Sequence, residues 1–169
     1  MPIRAAIADD LPAIVEIYNQ AVLRTTATFD VEPVTARDRQ PWFQRFDDEH
    51  PLLVDEHDGR ARGFACYSPY HARPGYASTK ELSVYVHFDA HGHGVGTRLV
   101  QALLDHAAQR GVRVMLAVLG GDNPGSMALH RKLGFVEAGI LRQVGYKFER
   151  WVDVTFMHKF IDAAAQTLP

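Results

Sequence analysis

The stretch "VYVHFDAHGHGVGTRLVQALLDHAAQRG", residues 84–111, changes its period halfway through. Around Val84 and Val86 the apolar residues alternate as in a strand. From Val95 they recur as Val95, Leu99, Ala102, Leu103 and Ala107, the three-four spacing of one helix face. Between the two runs lies His91-Gly92-His93-Gly94-Val95-Gly96. A strand that ends in glycines and feeds a helix bares several backbone N–H groups at a positive helix end. Glycine also lets a phosphate approach with no Cβ in the way. Taken alone, the pattern equally suits a tight turn that binds nothing.

Two well-known phosphate loops do not fit. A P-loop needs Gly-x-x-x-x-Gly-Lys-Ser/Thr, but Gly96 is followed by Thr97 and Arg98. A dinucleotide fingerprint needs Gly-x-Gly-x-x-Gly, and Gly96 follows Gly92-His93-Gly94 one position too soon.

Working outward, Ile3–Ala6 reads as a short strand and "DDLPAIVEIYNQAV" as a helix capped by Asp9 or Asp10. Leu11, Ile14, Ile17, Tyr18 and Ala21 form its buried face. "TTATFDVEPVT" is loop. Thr35 caps a second helix to about Asp48, which Pro41 should kink or restart. Leu52–Glu56 and Arg62–Pro69 make a hairpin about "HDGR". Glu81–His87 is a strand, Gly94–Arg110 a helix and "VRVMLAVL" a buried strand. "NPGSMALHRKLGF" is a short helix ended by Gly134, and two long antiparallel strands close the chain. A strand-helix-strand unit inside an otherwise meandering order predicts an α/β (α+β) domain. Its sheet is mixed and mostly antiparallel, with helices on both faces.

The chain has 169 residues, 47% of them hydrophobic and 22% charged, which suits one domain over residues 1–162 with a tail at 163–169. A net charge of -2 offers no electrostatic case for nucleic acid or an anionic membrane. No apolar run approaches the roughly 20 residues of a membrane span. An acidic pair stands where a signal peptide would be apolar. The single cysteine, Cys66, excludes a disulfide within the chain and Cys-based zinc sites, and reads as a small core residue suited to a reducing cytoplasm. His91-x-His93, even with His71 and His87, lacks recognisable ligand spacing, so no metal is expected.

The spacing that does fit the glycine loop resembles the pyrophosphate loop of the GNAT N-acetyltransferases, Gln/Arg-x-x-Gly-x-Gly/Ala. It maps onto His91, Gly92, His93, Gly94, Val95 and Gly96, with Thr97 beginning the helix. His91 replaces the usual Arg or Gln, which implies weaker cofactor affinity without loss of binding. "NQAVLRTTATFDVEP", "ELSVYVHFDAHGHGVG", "GDNPGSMALHRKLGF" and "VGYKFERWVDVTFM" are similar to the phosphinothricin (methionine sulfoximine) acetyltransferase branch. The resemblance covers nearly the whole chain. It implies acetyl-CoA as co-substrate and a pantetheine arm inserted between two splayed parallel strands, the fourth and fifth (81–87 and 113–119). It also implies a homodimer built with the C-terminal strands.

The resemblance also implies site residues. Glu81 is the candidate base or ammonium ligand, against a solvent-facing strand glutamate paired with Lys80 or Arg73. The backbone of Val84, Tyr85 and Val86 would face the cofactor, with an N–H near Tyr85 or Val86 polarising the thioester carbonyl. Asn123 can bond the pantetheine amide, and Ser126 either bonds the cofactor or caps its helix. His130 can protonate the leaving thiolate, against a half-buried helix histidine. On the acceptor side, Phe29 offers an apolar wall, while Arg73 or Lys80 can meet a carboxylate or phosphinate. Trp151 is expected in the core, at the site or at a dimer interface. The implied acceptor is a small glutamate- or methionine-like α-amine. A protein N-terminus, a polyamine and a non-catalytic acyl-CoA-binding module stay open as alternatives.

Overall fold

The structure is a computed structural model; residues 3–121 and 123–161 are described. The expected 163–169 tail and its boundary at 162 lie outside the described residues. The elements run β1 (Ile3–Ala5), α1 (Leu11–Arg24), α2 (Ala36–Phe43), β2 (Leu52–His57), β3 (Arg60–Pro69), β4 (Thr79–Val86), α3 (Val95–Gln109), β5 (Val114–Gly120), α4 (Pro124–Lys132), β6 (Val136–Lys147) and β7 (Arg150–Phe160). The strands form one seven-stranded sheet in the order β1-β2-β3-β4-β5-β7-β6. Only β4 and β5 are parallel, because α3 carries the chain back between them.

β3 lies mid-sheet and is buried on both faces. Phe64 and Cys66 face α1 and α2, together with Ile14, Ile17, Tyr18 and Val22. Ala65 and Tyr67 face α3, with Leu99, Leu103 and Met115. Alternation along β4 follows the same division. Leu82, Val84 and Val86 join the α3 side, while Tyr85 joins the α1 side.

Local chemistry accounts for the helix ends. Asp10 precedes α1 but makes no capping bond. Its carboxylate accepts instead from Arg4, at 2.7 and 2.9 Å, and from the Ile7 amide. Thr35 does cap α2, in a reciprocal box with Asp38. That helix ends at Phe43, well short of Asp48, soon after Pro41 withdraws a backbone donor.

β4 begins at Thr79, earlier than the apolar run, because Thr79 and Lys80 pair with Val114 and Met115 of β5. Trp151 is 62% exposed and packs on Tyr146 outside the core. An alternating pattern on an uncovered sheet face looks the same in sequence as one on a covered face.

Candidate active site

β4 and β5 pair only from Thr79↔Val114 to Leu82↔Ala117. Beyond that point each strand stays paired on its outer side, β4 to β3 as far as Val86 and β5 to β7 as far as Gly120. The inner edges therefore part and leave unpaired backbone facing a wedge.

Strand parity identifies the groups that face it. The His87 amide donates to Arg62 of β3's side, whereas the Ser78 carbonyl accepts from Arg113 and Val114 on β5's side. Even-numbered residues of β4 thus direct N–H and C=O toward β5. Past the split these are Val84 and Val86; the Tyr85 amide points to β3. Val84 and Val86 are consequently the residues whose backbone faces the wedge. The Val86 carbonyl is already taken by His91 Nε2, at 3.0 Å.

A cleft of about 230 Å³ opens in the split. It is walled by Ala27–Phe29, by β4 from Glu81 to Tyr85, by β5 from Ala117 to Gly120, and by Asn123, Ser126 and His130. The Thr25–Asp30 loop is held as a fixed wall. Thr26 Oγ1 donates to the Gly120 carbonyl (2.8 Å), Lys147 Nζ donates to the Thr28 carbonyl (2.7 Å), and Tyr18 hydroxyl donates to Asp30 (2.5 Å). The Phe29 ring covers Gly145 and Gly120; a side chain at Gly120 would come within 3.1 Å of it.

Glu81 and His130 both line this cleft. Burial raises the Glu81 carboxyl above its ordinary pKa. His130 is almost fully buried, with its ring edge-on to Phe135. Its Nδ1 lies 2.8 Å from the Ser126 carbonyl, which only accepts, so Nδ1 carries the hydrogen. Nε2 is then a lone pair with no partner, and burial lowers the ring's pKa. In this state His130 must take up a proton before it can give one. Asn123, not Ser126, is the helix cap: its Oδ1 accepts from the Ser126 amide at 3.0 Å.

A groove of about 810 Å³ continues from the split across the glycine loop. It takes in Val84, Tyr85, Val86, His91, Gly92, Gly94, Val95, Gly96, Thr97, Asn123 and Ser126 from the predicted cofactor set. His93 is not on its lining. Gly94 has φ +75, in the left-handed region that glycine tolerates. The groove is also lined by Arg24, Lys132 and Arg150, at the ends of α1, α4 and the β6–β7 turn, and among the described residues by no carboxylate. Sequence reading missed these three, since only the fold brings them together. A basic residue at a helix end also has an ordinary role opposite the dipole.

Of the predicted acceptor residues, Phe29 and Glu81 line the cleft. Lys80 does not: the period of two puts it on the α3 side, with Nζ 3.5 Å from His50 Nε2. Arg73 lies on the exposed turn after β3, outside both cavities. Cys66 is buried, and desolvation pushes its thiol up to about 12, which leaves it unreactive. Among the described residues no group of three His, Cys, Asp or Glu is placed to hold a metal ion. No helix among them is long and apolar enough to cross a membrane.

Comparison with known proteins agrees with this geometry. The chain is 43% identical over 162 residues to an L-methionine sulfoximine/L-methionine sulfone acetyltransferase of Pseudomonas aeruginosa, covering 95% of this chain and 94% of that one. A phosphinothricin acetyltransferase from Sinorhizobium meliloti, solved with acetyl-CoA, superposes with a TM-score of 0.93 at 34% identity, over 99% of this chain and 92% of that one. A ribosomal-protein-alanine N-acetyltransferase from Brucella melitensis superposes with a TM-score of 0.91 at 42% identity, over 95% and 99%. The family model of the GNAT acetyltransferases matches residues 13–135. With the parted parallel strands, the glycine loop and relatives along its whole length, this chain belongs to the acetyltransferase (GNAT) family.

Proposed function

We propose that the protein transfers the acetyl group of acetyl-CoA to the α-amino group of a small amino-acid-like acceptor such as L-methionine sulfone, L-methionine sulfoximine or phosphinothricin. The observation that carries this reading is the cleft of about 230 Å³, with Glu81, His130 and the parted β4–β5 backbone around one volume. Relatives named for these acceptors support it. The diphosphate rests on the loop from His91 to Thr97, and the pantetheine arm lies along the free edge of β4, with Asn123 beside it.

In this mechanism Glu81 takes a proton from the acceptor ammonium, directly or through one water, and frees the attacking lone pair. Its raised pKa brings a carboxylate closer to the strength such a base needs. The amine attacks the thioester carbonyl, and the outward amide of Val84 or Val86 supports the oxyanion. The cationic nitrogen then loses its second proton to His130 Nε2. The carbon–sulfur bond breaks, and the imidazolium returns that proton to the thiolate. Transfer is direct, within a ternary complex, because Cys66 is buried and lines neither the cleft nor the groove.

The likeness to a ribosomal-protein-alanine acetyltransferase favours a peptide N-terminus as second reading. A peptide needs a groove open beyond its first residue, and the fixed Thr25–Asp30 wall argues for a small acceptor. We further propose a cytoplasmic homodimer, supported by the exposed apolar side chains of β6 and β7: Leu141, Val144, Tyr146 and Trp151. The test is acetyl-CoA turnover with L-methionine sulfone set against an alanine-initiated peptide. A peptide kcat/KM equal to or above that for the sulfone would reverse the assignment.

A further inference from the structure

Arg98 stands in the first turn of α3, where a cation opposes the helix dipole. It follows the glycine loop in sequence, yet its guanidinium is engaged by the protein. Nη1 donates to the His93 carbonyl at 2.9 Å, Nε to Asp55 Oδ2 at 2.9 Å, and Nη2 approaches the same oxygen at 2.7 Å. Asp55 is completely buried on β2, beside the bulge that separates it from Glu56.

This arrangement has a geometric consequence. A trans peptide is planar, so its C=O and N–H point in opposite directions. Anchoring the His93 carbonyl on Arg98 aims the Gly94 N–H away from Arg98, and Gly94 lines the groove. A loop that turns amides inward must turn carbonyls outward, and an outward carbonyl needs a donor. Resting on the reading that this loop takes the coenzyme A diphosphate, we propose that Arg98, held by buried Asp55, is a positioning residue for cofactor binding. It sets the His93–Gly94 peptide and does not itself contact phosphate.

The two roles separate in Asp55→Asn. If Arg98 positions the loop, the weakened anchor lowers coenzyme A affinity, as Arg98→Met does. If Arg98 is a phosphate ligand that Asp55 restrains, Asp55→Asn frees it and tightens binding. Calorimetric titration of the full chain with coenzyme A, with Tm alongside, is expected to show about tenfold weaker binding for each single variant. The double variant should be no weaker than Arg98→Met. KM for acetyl-CoA should rise in parallel while kcat at saturation is kept.

Arg98→Lys keeps the charge and is the variant least able to disturb folding; it is expected between wild type and Arg98→Met. Tighter binding by Asp55→Asn, or Arg98→Lys indistinguishable from wild type, overturns the proposal. If wild type itself fails to bind coenzyme A, the functional reading fails first, which is a different result.

Discussion

Gly145→Ala tests the acceptor wall through one methyl group. Gly145 of β6 pairs with Val152 of β7, beneath the Phe29 ring. A Cβ there would lie 2.7 Å from Phe29 Cδ1 and nearer still to Cε1 and Cζ. Carbon atoms rest at about 3.5–4.0 Å, so the ring must shift by about 1 Å or more. The ring therefore turns into the cleft, or the loop lifts against the Thr26–Gly120 and Lys147–Thr28 bonds. Forcing a methyl into such a contact costs about 1–3 kcal/mol. Phe29 is 38% exposed, so part of the strain relaxes into solvent. The expected result is about a tenfold rise in acceptor KM, corresponding to about 1.4 kcal/mol. KM for acetyl-CoA should stay within about twofold, since neither Phe29 nor Gly145 lines the groove over the glycine loop. Gly139→Ala is the control: it lies on the same strand, with nothing within 4 Å of its Cβ position. Steady-state thiol release with L-methionine sulfone measures both variants. Equal acceptor KM values for Gly145→Ala and Gly139→Ala would refute Phe29 as the wall.

Glu81→Gln should lower kcat/KM by about 100-fold at neutral pH and flatten the rising limb of the pH profile. That limb sits above the ordinary glutamate pKa because burial raises it. A raised folded-state pKa contributes stability in full below the ordinary value, and that stability is lost as pH rises through the folded value. Glu81→Gln should therefore melt no lower than wild type at pH about 8; a lower Tm would contradict the desolvation account. His130 has the opposite sign. Its folded pKa is lowered by burial, so its contribution is present above about 6.5 and lost as pH falls through the folded value. His130→Gln should flatten the loss of Tm between pH about 7 and about 5, and a slope equal to wild type's would exclude the burial. On the proposed dimer, wild type should sediment as a dimer and the double variant Leu141→Asp, Trp151→Asp as a monomer; equal sedimentation of the two would remove this face as the interface.

The helices facing a core were legible because their period is local. Leu11, Ile14, Ile17, Tyr18 and Ala21 of α1 all came out buried, as did Val95, Leu99, Leu103 and Ala107 of α3. α2 was overextended because its residues are mostly polar, so no buried stripe marked where it stops. The glycine loop was legible for the same local reason, since the strand, the glycines and the helix are contiguous. Lys80 shows a signal that was present and unused. Adjacent residues of a strand face opposite ways, so Lys80 and Glu81 could not share one side of the sheet. Which β4 amides face the wedge is less accessible. It depends on which neighbour each strand edge meets, and the order β3-β4-β5-β7 is a property of the folded sheet.

The charge of the groove over the glycine loop shows the same limit in its strongest form. With His91 in place of Arg or Gln, the loop suggested a poorly neutralised diphosphate, and the fold adds that the His91 ring bonds the Val86 carbonyl. Arg98, the nearest permanent cation in sequence, is tied to Asp55. On a chain of net charge -2 the motif alone therefore implies a weak anion site. Yet the groove lining holds Arg24, Lys132 and Arg150 and, among the described residues, no acid. On the proposed reading these three supply the long-range attraction, while the backbone amides supply the short-range fit. Amides in a preformed loop hold a diphosphate with little loss of freedom. Lysine and arginine at element ends act over a Debye length of about 8 Å at physiological salt, and need no fixed geometry. Such a division lets the loop exchange its basic side chain for histidine without surrendering the site. It follows that salt should weaken coenzyme A binding through Arg24, Lys132 and Arg150, while removing the His91 ring should leave the salt dependence unchanged.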